Sequence, residues 1–168
     1  MTATDVPAIN GGFTGAAATA PAATPRIAFQ AHPRLPWLLV PEGVPMQVLI
    51  DAVPVRVPNT RAWFKGVVSQ RGNLLPVFDL AGWAGLSAGD AKPLIVSAGV
   101  GASACAIACA ATPTLLYAER EATPAATVAA LEPFLGRAHA SAQGIAREFD
   151  LQRWLAAVAQ DITGGASG

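Results

Sequence analysis

Apolar residues between positions 26 and 118 fall in short runs, and most runs have the length of a strand. RIAFQ (26–30) is brief and alternating, and WLLVP (37–41) is a continuous apolar run closed by proline. MQVLI (46–50) follows. In VPVRVP (53–58), Val53, Val55 and Val57 share one face and Arg56 takes the other, which predicts a half-buried strand. GVVSQ and LLPVF then flank Arg71, Gly72 and Asn73, and LIVSA and ACAIA flank the turn SAGVGAS. Prolines at 33, 36, 41, 45, 54, 58 and 76 imply short, bent, edge-rich strands, because proline cannot donate to a ladder. Many short strands punctuated in this way predict small barrels in preference to one wide sheet.

Two signals are helical. Asp79 can cap a short turn over DLAGWAGL, its carboxylate accepting from backbone N–H groups. Asp150 opens DLQRWLAAVAQ, where Leu151, Trp154, Leu155 and Val158 form one apolar stripe, predicting a terminal helix laid on the barrel. Residues 119–149 are ambiguous: ATVAALEPFLGRA is compatible with a turn or two of helix. Residues 1–25 are Ala, Thr, Gly and Pro with hardly a large apolar side chain, so they are expected to form a disordered tail. Residues 161–168, ending in TGGASG, are expected to be a second flexible tail.

Composition narrows the function classes. Half the residues are hydrophobic (52%) and few are charged (13%), so a core is easily buried in 168 residues. Net charge is zero, so the clustered basic face that nucleic acid requires is not expected. The start, MTATDVPAINGGF, lacks the basic and apolar regions of a secretory leader. Pro93 to Ala118 carries no charge and is long enough to span a bilayer, but Pro93, Pro113, Gly99 and Gly101 interrupt it. Two buried strands around SAGVGAS are expected there, with no insertion into a membrane.

Catalytic constellations are hard to assemble. His32 and His139, the only histidines, sit in no ligand or triad motif and are read as loop or surface residues. Cys105 and Cys109 point to one face of a strand, with no second pair to complete a zinc site, and are read as small buried hydrophobes. GVGASAC lacks the lysine of a phosphate loop, and no nucleophile elbow is present. No catalytic residue, metal ligand or cofactor site is therefore expected.

The densest signal is WFKGVVSQRGNLLPVFDL, residues 63–80. Gly72 and Asn73 tolerate the positive φ of a tight hairpin, and Pro76 marks an edge or bulge in the returning strand. An arginine at such a turn can be simply solvated, can brace the turn, or can offer its donors to a partner. Trp63, Phe64 and Trp83 can likewise fill the core or serve as exposed anchors.

This stretch resembles the signature of CheW-like domains, with Trp63, Gly66, Arg71, Gly72, Pro76, Asp79 and Leu80 at the family's spacings. VPNTRAW resembles its lead-in, with Arg61 in place of the usual proline, and MQVL resembles a strand that commonly carries glutamate where Gln47 stands. KPLIVSA and ACAIACA resemble the first strands of the second barrel, though without the family's aspartate, and FDLQRWL its closing strand and helix. The likeness covers about residues 26–160. It implies an all-β fold of two five-stranded SH3-like barrels sharing a small core, with a short C-terminal helix. It also implies a non-catalytic cytoplasmic adaptor coupling chemoreceptor tips to the regulatory domain of a CheA-type histidine kinase, for chemotaxis or twitching motility. The departures fit a divergent member, such as one serving type IV pili. On this resemblance the partner-binding residues are Arg71, Gly72 and Gly66, together with Gln47, Val48, Trp63, Phe64 and Asn73. The competing reading is a small ligand-binding barrel or enzyme with a pocket between the barrels.

Overall fold

The computed structural model describes residues 23–164. Strands β1 (Pro25–Gln30) and β2 (Trp37–Leu39) come first, then β3 (Met46–Val48), β4 (Phe64–Gln70) and β5 (Asn73–Phe78). A one-turn helix α1 (Leu80–Trp83) precedes β6 (Leu94–Ala98) and β7 (Cys105–Cys109). The chain continues through β8 (Ala111–Tyr117), β9 (Arg120–Ala122), β10 (Leu135–Ser141) and β11 (Gly144–Phe149) to helix α2 (Leu151–Gly164).

Hydrogen bonding sorts the strands into two sheets, ordered β8-β1-β2-β11-β10-β9 and β3-β6-β7-β5-β4. In the first, the two edge strands are halves of one bent strand. β8 ends at Tyr117 and β9 begins at Arg120, and between them the Glu119 N–H donates to the Ala140 carbonyl at 3.0 Å. That strand pairs with β1 on one side and β10 on the other, so the six strand segments close a five-stranded barrel. The second sheet closes through the chain after β3, where Val55 and Val67 exchange two hydrogen bonds at 2.8 and 3.0 Å. The two units are SH3-like barrels, and the fold is all-β with a C-terminal helix.

The barrels are interlaced in the chain, and this corrects one expectation. LIVSA and ACAIACA were assigned to the barrel that closes the chain. As β6 and β7 they instead pair with β3 and with the Arg71 hairpin. The barrel built from β3 to β7 is thus inserted between β2 and β8 of the other.

Each barrel has a small interior of its own. Val68, Leu75, Val77 and Ile95 fill one, and Ala28, Leu39, Leu116 and Ala146 fill the other. The largest apolar cluster lies between them, so the shared core is large where a small one was expected. β7 shows how: Cys105, Ile107 and Cys109 face the shared cluster, while Ala106 and Ala108 face their own barrel. With both faces buried, such strands read as unbroken apolar runs. Helix α2 seals the shared core with Leu151, Trp154 and Val158, all fully buried. The Trp154 ring meets Phe78 of one barrel at 5.8 Å and Phe149 of the other at 5.9 Å.

Other expectations change. VPVRVP is no strand: only Val55 forms a bridge, and Val53 and Val55 are 72% and 68% exposed. Proline removes donors at 54 and 58, and Asp51 and Asn59 take positive φ of 55° and 59°, which bends the segment at both ends. In residues 119–149 only Glu132–Phe134 makes a helical turn, and the rest includes β9, β10 and the whole of β11. The flexible end expected from residue 161 is helical through Gly164, and Trp83 Nε1 donates to Asp161 Oδ2 at 2.9 Å. The expected disordered start lies, through residue 22, outside the described residues, and Pro25 already belongs to β1. No helix among the described residues is long and apolar enough to cross a membrane.

Candidate partner-binding site

Gln70 and Asn73 pair directly, leaving Arg71 and Gly72 as a two-residue turn. Both have positive φ, 50° and 81°, the pattern of a type I′ hairpin whose twist matches its strands. The expectation that Asn73 would take the second positive φ is corrected: Arg71 takes one, and Asn73 opens β5. Arg71 is exposed, and among the described residues its guanidinium has no hydrogen-bond or ion-pair partner. It therefore does not brace the turn.

The other residues of the stretch are fixed by packing or capping. Gly66 has φ of 117° at a bulge, and a Cβ there would overlap the Val55 carbonyl oxygen that closes the barrel. Asp79 caps α1 by accepting from the Gly82 N–H at 2.9 Å, and its other oxygen lies 3.5 Å from Lys65 Nζ. Leu80 is fully buried. Phe64 is only 7% exposed and stacks against Phe78 at 5.6 Å, so it belongs to the core and offers no surface to a partner. Trp63 packs on the same Phe78 ring at 6.4 Å, and Trp83 meets Phe134 and Trp154. Of the eight residues assigned to partner binding, Phe64 is buried in the core, Gly66 is fixed by the close approach of Val55, and Trp63 is half-buried on the Phe78 ring.

Gln47, Val48, Arg71, Gly72 and Asn73 come together around the hairpin. Two open clefts meet at Arg71. One, of about 580 Å³, runs past Asn73 and Leu74 to Gly99 and Val100, and the other, of about 550 Å³, runs past Val48 and Ile50. Leu74, Val100 and Ile50 are 71%, 69% and 85% exposed, so apolar side chains stand on both sides of the cation. Gln70 Nε2 donates to Gln47 Oε1 and to Ser97 Oγ, both at 3.2 Å, tying β4 to β3 and β6 beneath the turn. Leu74 and Val100 were not singled out in sequence; their signal is a large apolar residue directly beside a turn glycine or asparagine.

The groups weighed for catalysis are engaged elsewhere. Cys105 and Cys109 are free and buried, and loss of solvation pushes both thiols up to about 12, with the Cys105 charge adding to the effect at Cys109. His32 accepts from the Arg34 N–H at Nδ1 and faces the Ser87 carbonyl with Nε2, so it lies in a turn as expected. His139 differs from the loop reading: it sits in β10, 17% exposed, with Nε2 3.1 Å from Glu148 Oε1. Among the described residues no three His, Cys, Asp or Glu side chains are placed to hold a metal.

The sequence profile of CheW-like domains matches residues 45–156, two thirds of the chain. The chain belongs to the CheW-like domain family. Among solved structures it is similar to the scaffolding protein TtCheW from Thermoanaerobacter tengcongensis, with a TM-score of 0.58 and 17% identity over 74% of this chain and 87% of that one. No curated protein matches the sequence. Family membership gives the coarse role: a scaffold or adaptor of chemotaxis-type signal transduction, in a family without catalysis of its own.

Proposed function

We propose that this CheW-like chain is a cytoplasmic adaptor that couples the tips of chemoreceptors to the regulatory domain of a CheA-type histidine kinase. The observation that carries this reading is the unpartnered guanidinium of Arg71, held at positive φ on an exposed turn between two apolar-edged clefts. An exposed arginine with no partner among the described residues fits an interface, where arginine is enriched over the rest of the surface, and Leu74 and Val100 beside it supply exposed apolar area. Gln47, Val48, Gly72 and Asn73 complete this surface. The family's association with receptors and kinase supports the choice of partners, for either a flagellar or a pilus-based system.

The test is a binding assay of the chain against its own kinase's regulatory domain and against a receptor tip. Saturable binding to both is expected at tens of micromolar, the strength of modest interfaces, and Arg71→Ala is expected to weaken it. Absence of binding to either partner at that concentration overturns the reading.

A further inference from the structure

We infer a separate ligand site on the barrel that lacks Arg71: a pocket for a small monocarboxylate with an apolar body, held by Arg147 and Arg34. A cavity of about 210 Å³ lies between the β1–β2 turn, the loop at Ala125–Thr127 and strand β11. Its walls are mostly apolar, from Leu35, Pro36, Ala125, Ala126 and Ile145. Its polar groups are two arginines and one hydroxyl.

Arg147 is only 6% exposed. A guanidinium so deeply placed is costly unless its charge and donors are met. Its Nε donates to the Gly136 carbonyl at 3.1 Å, and its NH2 reaches Glu132 Oε2 at a long 3.4 Å. Two of its five N–H donors are thus taken by the described residues. Glu132 is itself 46% exposed, so its charge is shared with water. Arg34, exposed at the rim, has no carboxylate within ion-pair distance among the described residues. The Thr127 hydroxyl in the cavity wall is buried with no partner among the described residues.

Two cations against one half-exposed carboxylate leave a surplus of one positive charge, which fits a monoanion. The planar arginine fork suits a carboxylate, which can accept two parallel hydrogen bonds. The apolar walls call for a hydrocarbon body, since a bare phosphate would leave them against water. The volume equals about seven waters, room for a single ring or short chain.

The test is an amide-resonance NMR titration of the full chain with sodium benzoate, with benzamide and inorganic phosphate as comparison probes. Benzoate is expected to give saturable shifts confined to residues near 34–35, 125–127 and 145–147. Arg34→Gln is expected to weaken binding about tenfold, the share of one charge-assisted hydrogen bond. Arg147→Met is expected to abolish it, and if that variant fails to fold, Arg34→Gln at the exposed rim decides. Arg71→Ala, on the other barrel, is expected to leave the titration unchanged. The inference is overturned by no saturable shift up to about 10 mM benzoate. It is equally overturned if benzamide or phosphate binds as tightly, or if Arg34→Gln changes nothing.

Discussion

A φ of 50° at Arg71 crowds its Cβ against the backbone, in a region where asparagine or glycine sits at lower energy, and no contact within the described residues repays it. Stability and coupling can therefore be separated at this position. Arg71→Asn is expected to raise unfolding stability by about 0.5–1 kcal/mol, measured by urea denaturation, while weakening receptor and kinase binding. A loss of stability with binding intact would make the arginine a brace. A second residue-scale prediction concerns Glu148. Its partial burial favours the protonated form, but hydrogen bonds from His139 and Arg26, and their charges, outweigh this and hold the carboxyl below the ordinary glutamate value. A depressed carboxyl contributes stability that is present above its unfolded-state pKa and is lost as pH falls through the folded one. Glu148→Gln is expected to flatten the acid limb of the stability curve, by under about 1 kcal/mol because the side chain is 35% exposed. An unchanged acid limb would remove this network from the account.

Between elements, the closure of the inserted barrel rests on how closely β4 approaches the chain after β3. Gly66→Ala is expected to cost about 3 kcal/mol or more, because the methyl meets the Val55 carbonyl and the residue must keep a φ of 117°. Thermal unfolding with Gly66→Ala reads this directly, and a wild-type melting point would show that the bulge can relax. The same geometry explains what the sequence could reveal. β1, β2 and β4 to β7 were legible because their apolar runs fill two cores at once. β10 and β11 were not: Ala138, Ala140 and Ala146 carry little hydrophobic contrast, and Arg147 is buried at a position where a polar residue argues for solvent. VPVRVP misled in the opposite direction, because its alternation faces water and its pairing is a single bridge. At the candidate site, the Arg71 turn was visible as R-G, but Leu74 and Val100 reach one of its clefts only through the pairing of β5 and the turn after β6. Pairing between distant segments is what a one-dimensional pattern does not encode.

For the molecule as a whole, the shared core makes the barrels one thermodynamic unit. The β3–β7 barrel is contiguous in the chain and threaded between β2 and β8 of the other, and the largest apolar cluster belongs to both. The Trp154 ring meets those of Phe78, Trp83 and Phe149 together, and it is fully buried. Its removal therefore acts on the joint and not on one barrel's interior. Trp154→Ala is expected to cost about 3–5 kcal/mol, the range for large aromatic truncations. Trp154→Phe should cost far less. The indole N–H is buried with no partner among the described residues, so phenylalanine loses volume but also removes an unsatisfied donor, whose burial is itself unfavourable. Far-UV circular dichroism and amide exchange across both barrels should report one transition in the wild type and in Trp154→Phe. If Trp154→Ala leaves one barrel folded while the other melts, the shared core is a contact between independent units. A lower but still single transition is the outcome that the shared core requires, because either barrel folded alone would leave its side of the largest apolar cluster against water.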